Sequence, residues 1–159
     1  MENNKIAIGK IAPSFSLPCD DGVKIDLSEL RGKNVVLYFY PKDDTPGCTI
    51  EAQDFTSNLE KFKKLDALVL GVSRDSIDSH CNFIKKYDIN FNLISDETSE
   101  LCEKYGVLKE KSMFGKKYQG IDRSSFIIDK KGNVAGIWRD VKVNGHIEEL
   151  LSFLTKLEK

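Results

Sequence analysis

The sequence predicts an α/β fold: one central mixed β-sheet flanked by helices, with an N-terminal β-hairpin. Three observations lead there. Residues 35–40 (VVLYFY) and 67–72 (ALVLGV) are uninterrupted apolar runs without the polar alternation of a half-exposed strand, so both fit strands buried on two faces. Stretches of helical periodicity separate the strand runs, as in βαβ units. Near the C-terminus, RSSFIIDKKGNVAGIWRD reads as two strands joined at Lys131-Gly132-Asn133, which adds antiparallel members to the sheet.

The elements follow in order along a chain of 159 residues, a length that fits one domain. The opening FSLPCDDGVKIDL is read as a hairpin turning at Asp21 and Gly22, and Ser28 as the cap of a short helix ending at Gly32. Between the two apolar strands, Cys48, Ala52, Phe55, Leu59 and Phe62 recur at helical spacing and mark residues 45–64 as one helix. A helix from Ser76 to about Tyr87 precedes a strand at 91–95, and a further helix over 98–105 follows. A last helix covers 145–157. With no repeat, low-complexity stretch or linker, residues 1–159 form a single domain. A mixed sheet covered by helices on both faces in this order is the thioredoxin-like arrangement.

Charge and composition exclude several function classes. Lys plus Arg number 24 against 25 Asp plus Glu, a balance that offers nothing to nucleic acid or an anionic membrane. The basic runs 61–64 and 109–117 are interleaved with other residues and read as solvated faces. The first residues, MENNKIAIGKIAP, lack the apolar core of a signal peptide, and no stretch reaches membrane-spanning length, so a soluble, cytoplasmic protein is expected. Cys19, Cys48, Cys81 and Cys102 are widely spaced with no C-x-x-C pair, which favours thiols over structural disulfides.

Chemistry concentrates in YPKDDTPGCTIEAQDF. A buried strand ends at Tyr40, Pro41 breaks it, and Thr45-Pro46 supplies an N-cap followed by proline at the first helical position. Cys48 then falls in the first helical turn, where unpaired N–H groups and the helix dipole favour an anion such as a thiolate, the nucleophile of sulfur chemistry. Read locally, Cys48 is either such a nucleophile or a small buried hydrophobe.

The wider sequence separates these readings. Pro41, Thr45 and Cys48 as P-x-x-x-T-x-x-C resemble the active-site signature of peroxiredoxins, and FYPKDDTPGCT resembles the bacterioferritin comigratory protein, or peroxiredoxin Q, subfamily. The resemblance extends from APSFSLP at Ala12 through LISDE at Leu93 and KYGV at Lys104 to RSSFIID at Arg123, nearly the whole chain. It implies a thiol-dependent peroxidase that reduces hydrogen peroxide and organic hydroperoxides. Thr45 and the Cys48 N–H would hold the peroxide, Arg123 would stabilise the thiolate and the developing charge, and Pro41 would shield the sulfur. It also implies a monomer with no cofactor or metal, recycled by thioredoxin or a similar dithiol reductant. Without the resemblance, Arg123 reads as a strand-end charge paired with Asp122 or solvent, and Thr45 as the helix cap alone.

The second half of such a cycle is less plainly written. Many members of the subfamily carry a resolving cysteine five residues after the first, where this chain has Gln53. Cys81 remains as the possible resolving thiol, since some relatives place theirs on the equivalent helix about one turn further along. The apolar stripe Ile77, Cys81, Ile84 equally suits an ordinary core cysteine. A bridge from Cys48 to Cys81 would require the first turn of the Cys48 helix to unwind. Cys102 is assigned to packing, and Cys19 is expected to be partly exposed and inert.

Other classes fit less well. A thiol–disulfide oxidoreductase lacks its C-x-x-C pair, and His80, Cys81, Cys102 and His146 offer no zinc-ligand spacing. The standing alternative is a peroxide sensor oxidised once at Cys48.

Overall fold

The computed structural model describes residues 6–158; the first five residues, where the stretch read for a signal peptide begins, lie outside it. Strands β1 (Ser16–Pro18) and β2 (Lys24–Asp26) form the predicted hairpin, and Gly22 supplies the positive φ that its turn requires. A 3₁₀ turn over Leu27–Leu30 follows. Its cap is Asp26, whose carboxylate accepts from the Ser28 N–H and hydroxyl, so Ser28 is the capped residue and not the cap.

Strand β3 (Asn34–Phe39) is buried at every position, as its continuous apolar run predicts. The helical stripe that follows is two helices, α1 (Pro46–Ser57) and α2 (Leu59–Lys64), broken at Asn58. Asn58 leaves helical geometry with φ −110° and ψ 10°, and its side-chain amide donates back to the Asp54 carbonyl, a local bond that competes with the helix. The stripe survives the break: Cys48, Ala52, Phe55, Leu59 and Phe62 are all buried.

Strand β4 (Ala67–Ser73) runs parallel to β3. Helix α3 (Ile77–Tyr87), capped by the Ser76 hydroxyl, leads to β5 (Asn92–Ser95), parallel to β4. The sheet order is β5-β4-β3-β8-β9. Both crossovers step in one direction, and right-handed crossovers in one direction put their helices on one face. Accordingly α1, α2 and α3 share a core with Tyr38, Val69 and Leu93.

The return to the sheet's other half passes through α4 (Glu100–Lys104) and an antiparallel pair that periodicity did not predict, β6 (Leu108–Met113) and β7 (Lys116–Ile121). The basic residues 109–117 lie along this mostly exposed hairpin. Strand β8 (Ser124–Ile128) joins antiparallel to β3, β9 (Val134–Trp138) completes the sheet antiparallel to β8, and α5 (His146–Leu157) folds back onto the α1 face. Leu101, Tyr105, Val107 and Ile121 pack with the N-terminal segment on the opposite face.

Two consequences place the site. The loops leaving β3, β4 and β5 gather at the carboxyl ends of the parallel strands, the usual crevice of an open α/β sheet. Because Phe39 pairs with Ser124, Arg123, the residue just before β8, arrives beside the loop that leads into α1.

Candidate active site

Cys48 occupies the first turn of α1 and is only 1% exposed. Thr45 stands at the N-cap position and Pro46 opens the helix, as read from the sequence, yet the Thr45 hydroxyl makes no capping bond. It donates to the Lys42 carbonyl at 2.8 Å. The N–H groups of the first turn are therefore left without a side-chain cap, and the first intrahelical bond runs from the Thr49 N–H to the Thr45 carbonyl at 2.8 Å. Pro41, half-buried, follows directly on the last apolar residue of the β3 run.

Arg123 reaches this turn from across the sheet. Its Nη2 donates to the Cys48 sulfur at 3.5 Å and its Nη1 to Glu51 Oε1 at 2.6 Å. Glu51 lies one turn after Cys48 on the same face of α1, 1% exposed, and its Oε2 has no partner among the described residues. Burial pushes the Glu51 carboxyl up to about 7 against the pull of Arg123. The guanidinium thus bridges a buried acid and a buried thiol in fixed geometry. Gly47 permits the approach: a Cβ there would stand 3.1 Å from Arg123 Nη2. Asp122, the partner expected of Arg123 from sequence alone, pairs instead with Lys109 at 3.5 Å.

Beneath the thiol the wall is aromatic. Tyr38 and Phe55 stack with ring centroids 4.4 Å apart, and Gly71 on β4 leaves room for the Tyr38 ring, since a Cβ there would come within 3.0 Å of it.

Beside it lies a buried polar cluster that the sequence did not foretell. The Asp43 carboxylate accepts from the Tyr40 hydroxyl at 2.6 Å and the Ser79 hydroxyl at 2.8 Å, and it meets His80 Nδ1 at 2.7 Å. His80 Nε2 faces the Ile94 carbonyl at 2.9 Å. With acceptors on both ring nitrogens, the ring has to donate from both, which makes it an imidazolium. Burial works against that charge, but the bonds to Asp43 and Ile94 outweigh it and raise the His80 pKa above the ordinary histidine value. The donor atoms of Asp43, Asp75 and His80 lie within 4.8 Å of one another. Both ring nitrogens are nonetheless spent on hydrogen bonds, and a cation would find no lone pair on His80.

The remaining cysteines are free thiols. Cys81 is half-buried on α3, next to His80. Cys102 is fully buried, as its assignment to packing requires, and burial beside Asp96 raises its thiol pKa. Cys19 departs from expectation. It is 2% exposed, because a bridge pairs it with Ile94 at the end of the sheet, and burial pushes its thiol up to about 11.

Residues 8–137 match the AhpC/TSA family. The chain belongs to that family. A putative peroxiredoxin bcp of Coxiella burnetii is 48% identical over 94% of this chain and 99% of its own length. A solved peroxiredoxin Q of Xanthomonas campestris is 45% identical, with a TM-score of 0.87 over 91% of this chain and 92% of that one. The bacterioferritin comigratory protein of the same bacterium is 44% identical, also with a TM-score of 0.87 and the same coverage, and its trapped intermediate and ligand complexes bear on alkyl peroxide reduction. The resemblance carried by FYPKDDTPGCT and RSSFIID is borne out, and so is the thioredoxin-like fold of this family with its N-terminal hairpin.

Proposed function

We propose that this peroxiredoxin reduces hydroperoxides with Cys48 as nucleophile and Thr45, Arg123 and Pro41 completing the site. The observation that carries the reading is the Arg123 guanidinium, pinned by Glu51 and directed at the sulfur of an uncapped helix start. The Cys48 thiolate attacks one peroxide oxygen, an S–O bond forms and the O–O bond breaks. The electron pair leaves on the other oxygen, which takes a proton and departs as water or an alcohol. Arg123 and the Cys48 N–H donate to the oxygens as charge develops. Thr45 has spent its only hydrogen on Lys42, so its part is to accept the hydroperoxide O–H. Alkyl hydroperoxides are included among the substrates because the Xanthomonas campestris relative reduces them.

Cys48 is left as a sulfenic acid. Cys81 attacks that sulfur, the S–O bond breaks, and hydroxide leaves with the thiol proton as water, giving a disulfide that thioredoxin or a similar dithiol reduces. One chain acting as a monomer holds all of these groups. Four free thiols suit the reducing cytoplasm, and no helix among the described residues is long and apolar enough to cross a membrane. The one specific observation for a peroxide sensor is Gln53, exposed where many relatives hold a resolving thiol.

Peroxide consumption with excess thioredoxin tests the first step. Cys48→Ser abolishes it, and Arg123→Ala lowers it by about a hundredfold, the scale of losing one transition-state donor. An active Cys48→Ser protein would overturn the assignment. Mass spectrometry after one equivalent of peroxide tests the second step: wild type forms a Cys48–Cys81 crosslink, and Cys81→Ser retains the sulfenic acid. Wild-type protein that reacts once and does not turn over is the sensor.

A further inference from the structure

We propose that the buried Asp43–His80 ion pair is a pivot: it stays closed while the first turn of α1 unwinds, and so keeps oxidised Cys48 tethered beside Cys81. The inference rests on the reading of Cys81 as the resolving thiol and assigns His80 and Asp43 as positioning residues for resolution.

The loop from Tyr40 to Thr45 is fastened unevenly. At its middle, Asp43 receives the Tyr40, Ser79 and His80 side chains at 2.6–2.8 Å, and its own N–H donates to Asp75 Oδ2 at 2.8 Å. The Asp75 carboxylate is fixed in turn by the Ser73 hydroxyl at 2.6 Å. His80 is fully buried and also grips the Ile94 carbonyl, so releasing Asp43 would strand a charged ring in the interior. The bonds at the other end of the loop are exposed to solvent: Lys86 and Tyr87 donate to Asp44 at 2.8 and 2.7 Å, and Thr45 to the Lys42 carbonyl at 2.8 Å, contacts that contribute less than buried ones. Thr45 does not cap α1, Pro46 has no N–H to give, and the first turn is closed by backbone bonds beginning at Thr49 and held from outside through the Arg123 contacts to Cys48 and Glu51. Helix ends open at far smaller cost than buried networks, so the α1 end yields first.

Geometry gives that order a use. Cys48 lies five residues beyond Asp43, a span of at most about 18 Å when extended. Asp43 is bonded to His80, whose chain neighbour is Cys81. Unwinding about a fixed Asp43 therefore moves Cys48 along a short tether whose fixed end is one residue from Cys81, which raises the effective concentration of one sulfur at the other. If the pair opened together with the helix, the loop would leave α3 and that advantage would be lost.

Two measurements test the pivot. In reduced wild-type protein, hydrogen exchange at the Asp43 amide is at least about tenfold slower than at the Thr49 amide, because the helix start opens without the loop. Equal protection of the two amides would overturn the proposal whether or not Cys81 resolves. In single-turnover oxidation, His80→Gln and Asp43→Asn each slow the conversion of sulfenic acid to the Cys48–Cys81 disulfide by about tenfold or more and increase sulfinic acid. Disulfide formation that is unchanged or faster in both variants would also sink it. If no crosslink forms in wild type, the reading of Cys81 fails and the exchange order alone decides the pivot. If His80→Gln loses exchange protection throughout β3 and β4, Asp43→Asn and the wild-type comparison decide it.

Discussion

At the scale of single residues, the site depends on how closely Arg123 approaches the Cys48 sulfur. Gly47 is the position that sets this distance. A methyl group there would press on Arg123 Nη2 at 3.1 Å, and Nη1 cannot retreat while Glu51 holds it at 2.6 Å. Gly47→Ala is therefore expected to lower the second-order rate with hydrogen peroxide by about tenfold through misplacement of the donor, while the melting temperature holds or rises because alanine favours the helix. An unchanged rate would show that the guanidinium tolerates displacement. The motifs that single out Cys48, Thr45, Pro41 and Arg123 as candidates are local and specific, and the fold brings Arg123 to the Cys48 sulfur. Glu51 was not singled out, although a carboxylate three residues after Cys48, beside an apolar stripe, is a signal: a charge on that face needs a buried partner. Asp43 and His80, 37 positions apart, carry no such signal. They meet only because the parallel strands β3 and β4 deliver the Asp43 loop and the first turns of α3 to the same carboxyl end of the sheet.

At the scale of elements, α4 shows how a helix of five residues persists. It is too short to be stable by itself, and the carboxylate of fully buried Asp96 accepts the N–H groups of Leu101 at 3.0 Å and Cys102 at 2.8 Å. Asp96→Ala would leave both donors buried without an acceptor, at a cost of about 3 kcal/mol. For a domain of this size the melting temperature should fall by roughly 6–12 °C, with the peroxide rate retained because α4 packs on the face of the sheet away from Cys48. A drop of a degree or two in a thermal melt would refute the capping role. The longer elements were readable from periodicity, since burial imposes it on their residues. Two features were not. The break at Asn58 preserves the phase of the apolar stripe, so the stripe conceals it. The β6–β7 hairpin is a two-stranded, mostly exposed ladder that lacks both an apolar run and strict alternation.

For the whole molecule, the buried titratable groups make stability depend on pH in a direction that can be worked out. Glu51 has its folded pKa raised, to about 7, above an unfolded value near 4.5. The folded state binds its proton more tightly, so stability is intact below the unfolded value and falls as pH rises towards 7, by on the order of 3 kcal/mol. His80, also raised, stabilises fully below about 6.5 and loses that contribution as pH climbs through its folded value. His146 acts in the opposite sense. Burial lowers its folded pKa although the Glu149 carboxylate beside it pulls the other way, so its contribution is present above about 6.5 and lost as pH falls. As pH falls just below about 6.5, where His146 is still losing its contribution and Glu51 is gaining, the two oppose each other. Glu51→Gln removes one side of that opposition. Urea unfolding of the reduced variant should then give a stability that rises with pH across this interval, followed by a decline at higher pH where His80 loses its proton. If the variant instead falls with pH as steeply as wild type between the unfolded carboxylate value of about 4.5 and about 6.5, the penalty assigned to the buried Glu51 carboxylate is wrong, and with it the picture of Arg123 held by an acid that is itself costly to ionise.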